Sequence, residues 1–328
     1  MRNRIVTFGV ALAAGLLLAV TSSTPAAAEA VALRLNWTVN GGNCTWFLGL
    51  DRGYFKDQGL DLTIKEGSGS ATGVKLIASG DTTFAYVDYT STAVAISRGM
   101  PIKAVFGVER QGPLGVMTLK EWGVERPQDL VGKKIGTSTR GSGGQLFAAF
   151  LRRNDVPPDK VKLVGYGGGE RVIAMLEKQV HGFVGFFTTD AVGVIAKGVP
   201  LNILKFTEWG MNIMGPGVVV NTETIAKQPQ LIRRFITGAR RTWAEARTHP
   251  EEAVAATIRR FPKENASVLL LQLKLMLGNI DSPHSAGRPI GWMAREDWDE
   301  MQRTFVEVKE IRRAIPVEQY YTNEFLPQ

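Results

Sequence analysis

One stretch of the chain combines hydroxyl side chains with glycines in a way that could hold an anion. Residues 137–145 read Thr-Ser-Thr-Arg-Gly-Ser-Gly-Gly-Gln and open a helix-forming segment that extends to about residue 154. The first N–H groups of a helix have no partner within it and attract carboxylate, sulfonate or phosphate oxygens. Ser142 and Gln145 also have the spacing of a capping box, in which Ser142 would only cap its own helix. We therefore expect Ser142, Gly143 and Gly144 to contact an anion if this turn faces a cleft.

Two further glycine-rich runs, at 67–73 and 165–169, each lie between a strand-like and a helix-like segment. Neither matches the G-x-G-x-x-G pattern of dinucleotide binding, and Gly143 is not followed by the Gly-Lys of a phosphate-binding loop. Nucleotide chemistry is therefore unsupported. We interpret both runs as tight turns directed at the same edge of a sheet, where open α/β folds bind ligands.

Aromatic and polar side chains recur where these turns would meet. Most aromatics in such a chain belong to the core, but Trp37 and Tyr89 each follow the end of a strand-like run and could stack on a flat ligand. Asp88, Thr90, Ser91 and Asp190 have similar positions. The candidate ligand-binding residues are Trp37, Asn40, Asp88, Tyr89, Thr90, Ser142, Gly143, Gly144, Phe186 and Asp190.

Residues for catalysis or metal binding are scarce. The three histidines, His181, His249 and His284, are far apart and have no metal-ligand spacing, and no Ser, His and Asp arrangement is visible. Cys44 is the only cysteine, so an internal disulfide is excluded. We expect no catalytic residue, metal or cofactor.

The first 28 residues resemble an export signal. Arg2 and Arg4 precede an uncharged apolar run at 5–20, and three alanines at 26–28 suit a signal peptidase. We predict cleavage near Glu29 and a periplasmic protein, with an uncleaved anchor as the alternative. Lys and Arg outnumber Asp and Glu by 39 to 31, which could suit nucleic acid or an anionic ligand. Export argues against nucleic acid as a partner.

The elements that would position these residues alternate between strand and helix. The predicted strands are 33–37, 60–65, 83–87, 103–108, 114–119, 134–137, 162–164, 182–187, 201–205 and 218–221, with early helices at 46–55, 71–78 and 91–98. Such alternation predicts an α/β fold with mostly parallel sheets flanked by helices, followed by a helical C-terminal tail after Thr222. We predict a discontinuous lobe one (29–114 plus 216–328), an inserted lobe two (115–215), and a hinge and ligand cleft between them.

Several segments resemble one protein family, the solute-binding proteins of ABC importers for nitrate, sulfonates, taurine and thiamine-related pyrimidines. The matching segments are LNWT at 35–38, DRGYFKDQGL at 51–60, SGD at 79–81 with FA at 84–85, RGMPIKA at 98–104, PQDLVGKKIG at 127–136 and YTNEFLP at 321–327. The resemblance implies a two-lobed, type II periplasmic-binding-protein fold that captures a small-molecule ligand at the hinge. It also implies delivery to an ABC permease in the inner membrane and its ATPase, and we expect a monomer.

The family's anion-contacting helix start falls on Ser142, Gly143 and Gly144, and its first-strand aromatic on Trp37. The chain departs from the family pattern at 185–190, where Gly-Phe-Phe-Thr-Thr-Asp is unusually aromatic. This departure favours an aromatic or heterocyclic ligand over nitrate. Two alternatives stay open: a pyrimidine-synthase-like enzyme on the same fold, for which Lys75 is the nearest lysine without an accompanying histidine, and a sensor that presents its ligand to a membrane receptor.

Overall fold

Two five-stranded sheets organise the chain, and the predicted α/β, two-lobed fold is confirmed. The computed structural model describes residues 28–138, 143–167 and 169–327. In these ranges the strands are β1 (Glu29–Arg34), β2 (Leu60–Lys65), β3 (Phe84–Asp88), β4 (Ile102–Gly107), β5 (Leu114–Leu119), β6 (Lys134–Ser138), β7 (Lys162–Tyr166), β8 (Gly182–Phe186), β9 (Leu201–Lys205) and β10 (Pro216–Asn221). Sheet one has the order β2-β1-β3-β10-β4 and sheet two the order β7-β6-β8-β5-β9.

Each sheet contains four parallel strands and one antiparallel strand. β10 runs antiparallel between β3 and β4, and β5 runs antiparallel between β8 and β9. Both antiparallel strands are the first to follow a crossing from one sheet to the other. We propose that the lobes divide at these crossings, at the predicted boundaries 114/115 and 215/216.

Helices connect the parallel strands, and later helices form the C-terminal tail. They are α1 (Gly41–Asp51), α2 (Ser70–Ser79), α3 (Tyr89–Ser97), α4 (Gly143–Arg153), α5 (Glu170–Leu176), α6 (Val192–Ile195), α7 (Thr222–Lys227), α8 (Pro229–Thr248), α9 (Pro250–Ile258), α10 (Ala266–Leu277) and α11 (Arg295–Glu307). Within the described ranges, every helix is too short or too polar to cross a membrane. Residues 1–27, which carry most of the predicted export signal, lie outside the described residues.

The start of α1 differs from the prediction by five residues. The predicted helix begins at residue 46, whereas the observed helix begins with two glycines, which are poor helix formers. Asn40 supplies the start instead: its backbone is extended, and its side-chain oxygen accepts a hydrogen bond of 2.9 Å from the Gly42 N–H. This is an N-cap, and it overrides the weak propensity of the glycines.

Sheet one buries its outer face against α1 and the helical tail. Trp46 of α1 meets Trp243 of α8 edge to face, with ring centroids 5.7 Å apart. Phe235 of α8 stacks on Phe84 of β3 with centroids 3.8 Å apart. These large apolar side chains are almost fully buried, so burial of aromatic surface is the main force that holds the tail to this sheet.

The two crossings between the sheets run side by side and bond to each other. The Gly215 N–H donates to the Glu109 carbonyl at 2.9 Å, and the Glu109 N–H donates to the Pro216 carbonyl at 3.1 Å. The Gly112 N–H donates to Asn212 Oδ1 at 2.9 Å. A Cβ on Gly112 would lie 2.0 Å from the Ile213 carbonyl oxygen, so the close approach requires glycine there. The hinge is therefore a narrow pair of bonded segments.

The last helix contacts both lobes, although the tail was predicted to belong to lobe one. Trp298 of α11 packs against Tyr89 of α3 with ring centroids 4.7 Å apart. On its other side, Arg153 of α4 donates to Thr304 Oγ1 at 2.7 Å and forms an ion pair with Glu307 at 3.3 Å. One continuous apolar cluster runs from sheet one through α11 to sheet two. The reason is that α11 is apolar on one face and long enough to cover both sides of the hinge.

Candidate ligand-binding cleft

A cleft lies between the two lobes, and its wide outer chamber has a volume of about 580 Å³. Lobe one contributes the loop after β1, the start of α2, the end of β3 and one residue of α10. Lobe two contributes the end of β8 and the turn that follows it. The lining residues are Asn36, Trp37, Thr38, Val39, Asn40, Gly69, Ser70, Asp88, Phe186, Thr189, Asp190 and Gln272. The volume suits one drug-sized molecule.

Trp37 presents its ring on the lobe-one wall. Its side chain is 55% exposed, unusual for a residue of this size. The backbone is nevertheless fixed, because the Gly69 N–H donates to the Asn36 carbonyl at 2.8 Å and the Gly67 N–H to the Trp37 carbonyl at 3.1 Å. A Cβ on Gly67 would lie 1.9 Å from the Leu35 carbonyl oxygen. A glycine is thus needed to hold this loop, which leaves the indole free to contact a ligand.

Phe186 and Asp190 form the opposite wall at the end of β8. Asp190 Oδ2 accepts a hydrogen bond of 2.8 Å from the Phe186 N–H and pairs with Arg171 at 2.7 Å. These bonds close the turn that carries Phe186. Asp190 therefore shapes the wall, and Phe186 supplies apolar surface to the chamber.

A second, inner chamber of about 60 Å³ adjoins the outer one. The two share lining residues such as Asn36, Asp88 and Phe186. The inner chamber reaches further, to Asn43, Tyr86, Glu109, Thr188 and Met276 among others. Its size suits a small polar group or about two water molecules.

Two carboxyl groups border the inner chamber. Burial raises the pKa of Glu109 to about 8, and the nearby Asp88 carboxyl adds to this, while a hydrogen bond of 3.3 Å from Asn279 Nδ2 opposes it. Burial also raises the pKa of Asp88, against a hydrogen bond of 2.7 Å from Ser70 Oγ. Desolvation disfavours the charged form of both acids. Glu109 is accordingly protonated at neutral pH.

The structure brings together half of the predicted site residues. Trp37, Asn40, Asp88, Phe186 and Asp190 all line the outer chamber. Asn40 does so while capping α1.

The prediction for Tyr89 is wrong. Its ring is fully buried against Trp298, and its hydroxyl donates to the Phe106 carbonyl at 2.9 Å. The strand β3 extends one residue further than predicted, which turns the next side chain into the core. Thr90, half-buried on α3, and Ser91 line neither chamber.

The predicted anion turn is only partly described. Ser142 lies outside the described residues. Gly143 is the first residue of α4 and Gly144 the second, and Gly144 does not line either chamber. Their role as anion contacts stays a prediction.

Sequence reasoning missed several residues that line the chambers. Ser70 belongs to the glycine-rich run that was directed at the cleft, and Asn36 adjoins Trp37, so both carried a local signal. Glu109 lies two residues after the buried strand β4, and Asp88 is the last residue of β3. Gln272 had no signal, because it lies on a tail helix more than 200 residues from the loop it meets; its Oε1 accepts from the Gly41 N–H at 2.8 Å.

Comparisons with known proteins agree with this architecture. The chain is similar to a solved structure described as a putative sulfonate ABC transporter, periplasmic sulfonate-binding protein SsuA from Methylobacillus flagellatus KT, with a TM-score of 0.69 and 16% identity over 92% of this chain and 93% of that one. The family model described as NMT1/THI5 like matches residues 44–253, more than half of the chain. The chain belongs to the NMT1/THI5-like family. The predicted resemblance to solute-binding proteins is thereby confirmed.

The relatives of this NMT1/THI5-like chain have names that describe different roles. The riboflavin-binding protein RibY of Chloroflexus aurantiacus is 22% identical over 100% of this chain and 99% of its own length. The 4-amino-5-hydroxymethyl-2-methylpyrimidine phosphate synthase of Legionella pneumophila is 24% identical over 90% of this chain and 92% of its own. The chain is therefore similar both to a protein named for ligand binding and to one named a synthase.

Proposed function

We propose that this protein is the substrate-binding subunit of an ABC importer and captures a small aromatic or heterocyclic solute between its lobes. The observation that carries the proposal is a cleft of about 580 Å³ that both lobes line, with Trp37 exposed on one wall and Phe186 on the other. Flat rings gain free energy by stacking on such side chains. The relative named for riboflavin binding supports a ring-containing ligand.

Closure of the two lobes would trap the ligand. A molecule that contacts both walls at once stabilises the closed form over the open one. The paired crossings at Glu109 and Gly215 give the narrow connection that such a rotation needs. In this proposal the protein acts as a periplasmic monomer and delivers its ligand to a permease in the inner membrane.

An enzyme on the same fold is the second candidate, because one relative is named a synthase. The side chains of this chain favour capture. Lys75 is exposed on α2, and among the residues that the structure describes neither lysine nor histidine lines the two chambers. Cys44 is buried, and burial raises the pKa of its thiol to about 11, so it is protonated and a poor nucleophile at neutral pH. A ligand-presenting sensor would share the cleft and differ only in its membrane partner.

Thermal-shift and calorimetric titration of residues 29–328 would test the proposal. The panel is riboflavin, 4-aminopyrimidines, aromatic sulfonates, taurine and nitrate. We expect saturable binding of a ring-containing compound with 1:1 stoichiometry, a raised melting temperature, and recovery of the compound unchanged. Chemical conversion of a bound compound would favour the enzyme, and no binding by any compound would contradict solute capture.

A further inference from the structure

The inner chamber is bordered by two amide oxygens that lack a donor within the described ranges and by two carboxyl groups, alongside mixed donor and acceptor groups such as the Thr188 hydroxyl and the Gln272 amide. Asn43 is 1% exposed; its Nδ2 donates to the Thr38 carbonyl at 3.2 Å, while its Oδ1 has no hydrogen-bond partner among the described residues. Asn36 Oδ1 is likewise buried without a partner in the described part of the chain. The carboxyl groups of Asp88 and Glu109 face the same space. Buried acceptors without donors are costly, and water or a ligand normally satisfies them.

Glu109 belongs to two features at once. Its backbone is part of the hinge, and its side chain lines the inner chamber. Its backbone bonds to the second crossing on both sides, through Gly215 and Pro216. Its side chain lies across Gly215, where an added Cβ would come within 2.4 Å of Glu109 Oε2. Glycine at 215 therefore makes room for a carboxyl group that the chamber would otherwise exclude. A ligand atom that meets Glu109 touches the hinge directly.

The groups facing Glu109 offer it little compensation. Asn279, from the segment after α10, donates one long hydrogen bond of 3.3 Å. Asp88 and Tyr86, from β3, are an acid and a phenol whose charged forms would repel it. The neighbouring Arg110 is fully buried but donates elsewhere, to the Ile280 carbonyl at 2.6 Å and the Trp292 carbonyl at 2.9 Å. Among the described residues that line the inner chamber, none is cationic.

We propose that the inner chamber is a subsite for a small N–H donor on the ligand, an amino or amidine-type group, and that Glu109 determines this specificity. The inference rests on the proposed function, since it assigns the polar end of a ligand whose ring lies in the outer chamber. An N–H donor satisfies the unpaired oxygens and stabilises the ionised carboxyl group. A sulfonate, nitrate or carboxylate placed in the same space supplies no donor to the Asn36 and Asn43 oxygens and opposes ionisation of Asp88 and Glu109.

Because Glu109 is protonated before binding, contact with the ligand should release a proton, which a purely structural role of Glu109 would not do. When an N–H donor stabilises the carboxylate, the Glu109 proton leaves to solvent, so binding at pH 7 releases up to one proton. Calorimetry in buffers of different ionisation enthalpy measures this release. The same linkage makes affinity for an amino ligand rise with pH until the pH passes about 8.

The experiment compares probes with and without an N–H donor group: 4-amino-2-methylpyrimidine against 2-methylpyrimidine, and benzylamine against toluene, with benzenesulfonate as the aromatic anion. The variants are Glu109→Gln and Asn43→Leu. Glu223→Gln is the matched control, because Glu223 is exposed on α7. Melting temperature and circular dichroism establish that each variant is folded.

We expect at least tenfold tighter binding of the amino member of a pair, proton release with wild type, and loss of both the preference and the release in Glu109→Gln. Asn43→Leu should reduce the preference in the same direction, and Glu223→Gln should behave as wild type. Three results would overturn the subsite: equal binding of both members of a pair, a preference that survives Glu109→Gln, or tightest binding of benzenesulfonate. None of them contradicts solute capture. Failure of every probe, together with failure of the wider panel, overturns solute capture itself.

Discussion

The two sides of the hinge differ in the exposure of their tryptophan side chains. On the cleft side, Trp37 is 55% exposed and borders a chamber of about 580 Å³. On the opposite side, Trp298 is fully buried between Tyr89 and Tyr320, with ring centroids 4.7 Å and 5.4 Å away. Apolar surface that is buried stabilises the fold, and apolar surface left open is available to a partner. The molecule therefore separates stability from recognition across a hinge only two chain segments wide.

Trp298→Ala should give the largest effect, a loss of about 3–5 kcal/mol in the free energy of unfolding, because it opens a cavity in the cluster that joins both lobes. Urea denaturation measures the loss. Ligand affinity of the folded fraction should change much less. A stability loss under about 1 kcal/mol would contradict the role of α11 as a brace across the hinge.

Glu109→Gln should raise the free energy of unfolding by about 3 kcal/mol more at pH 8 than at pH 5. The folded pKa is about 8 against an ordinary value of 4.5, so between these values the folded protein holds a proton that the unfolded chain has lost. Wild-type stability therefore falls as pH rises through this window, by at most about 1.4 kcal/mol per pH unit. Glutamine removes the dependence.

Denaturation of both proteins at pH 5, 6.5 and 8 checks the Glu109 prediction. Glu223→Gln serves as the exposed control and should show no comparable gain at pH 8. A constant difference between wild type and Glu109→Gln across this range would mean that Glu109 is ionised throughout.

Trp37→Ala should lower affinity for the tightest compound of the panel about tenfold, equivalent to about 1.4 kcal/mol, through lost stacking. Stability should stay within about 0.5 kcal/mol of wild type, because the side chain is exposed. Ile173→Ala is the matched control, since Ile173 is 56% exposed but lines neither chamber. Unchanged affinity in Trp37→Ala would remove this residue from the site.

Tyr89→Phe should have the smallest effect, a loss of about 1 kcal/mol in stability, because it removes the hydrogen bond to the Phe106 carbonyl but keeps the ring. Affinity should not change. A fall in affinity without a fall in stability would return Tyr89 to the ligand-binding residues and weaken the contrast between the two sides of the hinge.

Much of the fold could be predicted from the sequence, because apolar runs and the glycines between them act over short distances. The strands at 60–65, 114–119 and 201–205 have the predicted bounds. The start of α1 could not be predicted as well, since the cap at Asn40 outweighs the low helix propensity of two glycines. Local propensity and capping compete, and their balance depends on the backbone angle at one residue.

The candidate site was predictable at the carboxyl ends of strands, where Asp88 is the last residue of β3 and Trp37 lies in the loop after β1. Tyr89 shows the limit of this reasoning: one further residue in β3 moves the side chain from the edge into the core. Gln272 shows a second limit, because contacts between distant segments leave no local pattern.

The sequence by itself determined the alternation of strands and helices, the family pattern and the exposed aromatic after β1, since each depends on neighbouring residues and their side-chain chemistry. Only the tertiary structure decided that two crossings lie side by side, that α11 joins both lobes, and that Glu109 is buried beside Asp88 over Gly215. The ionisation of a carboxyl group depends on solvent access and on charges from other segments, and those are fixed only when the chain has folded.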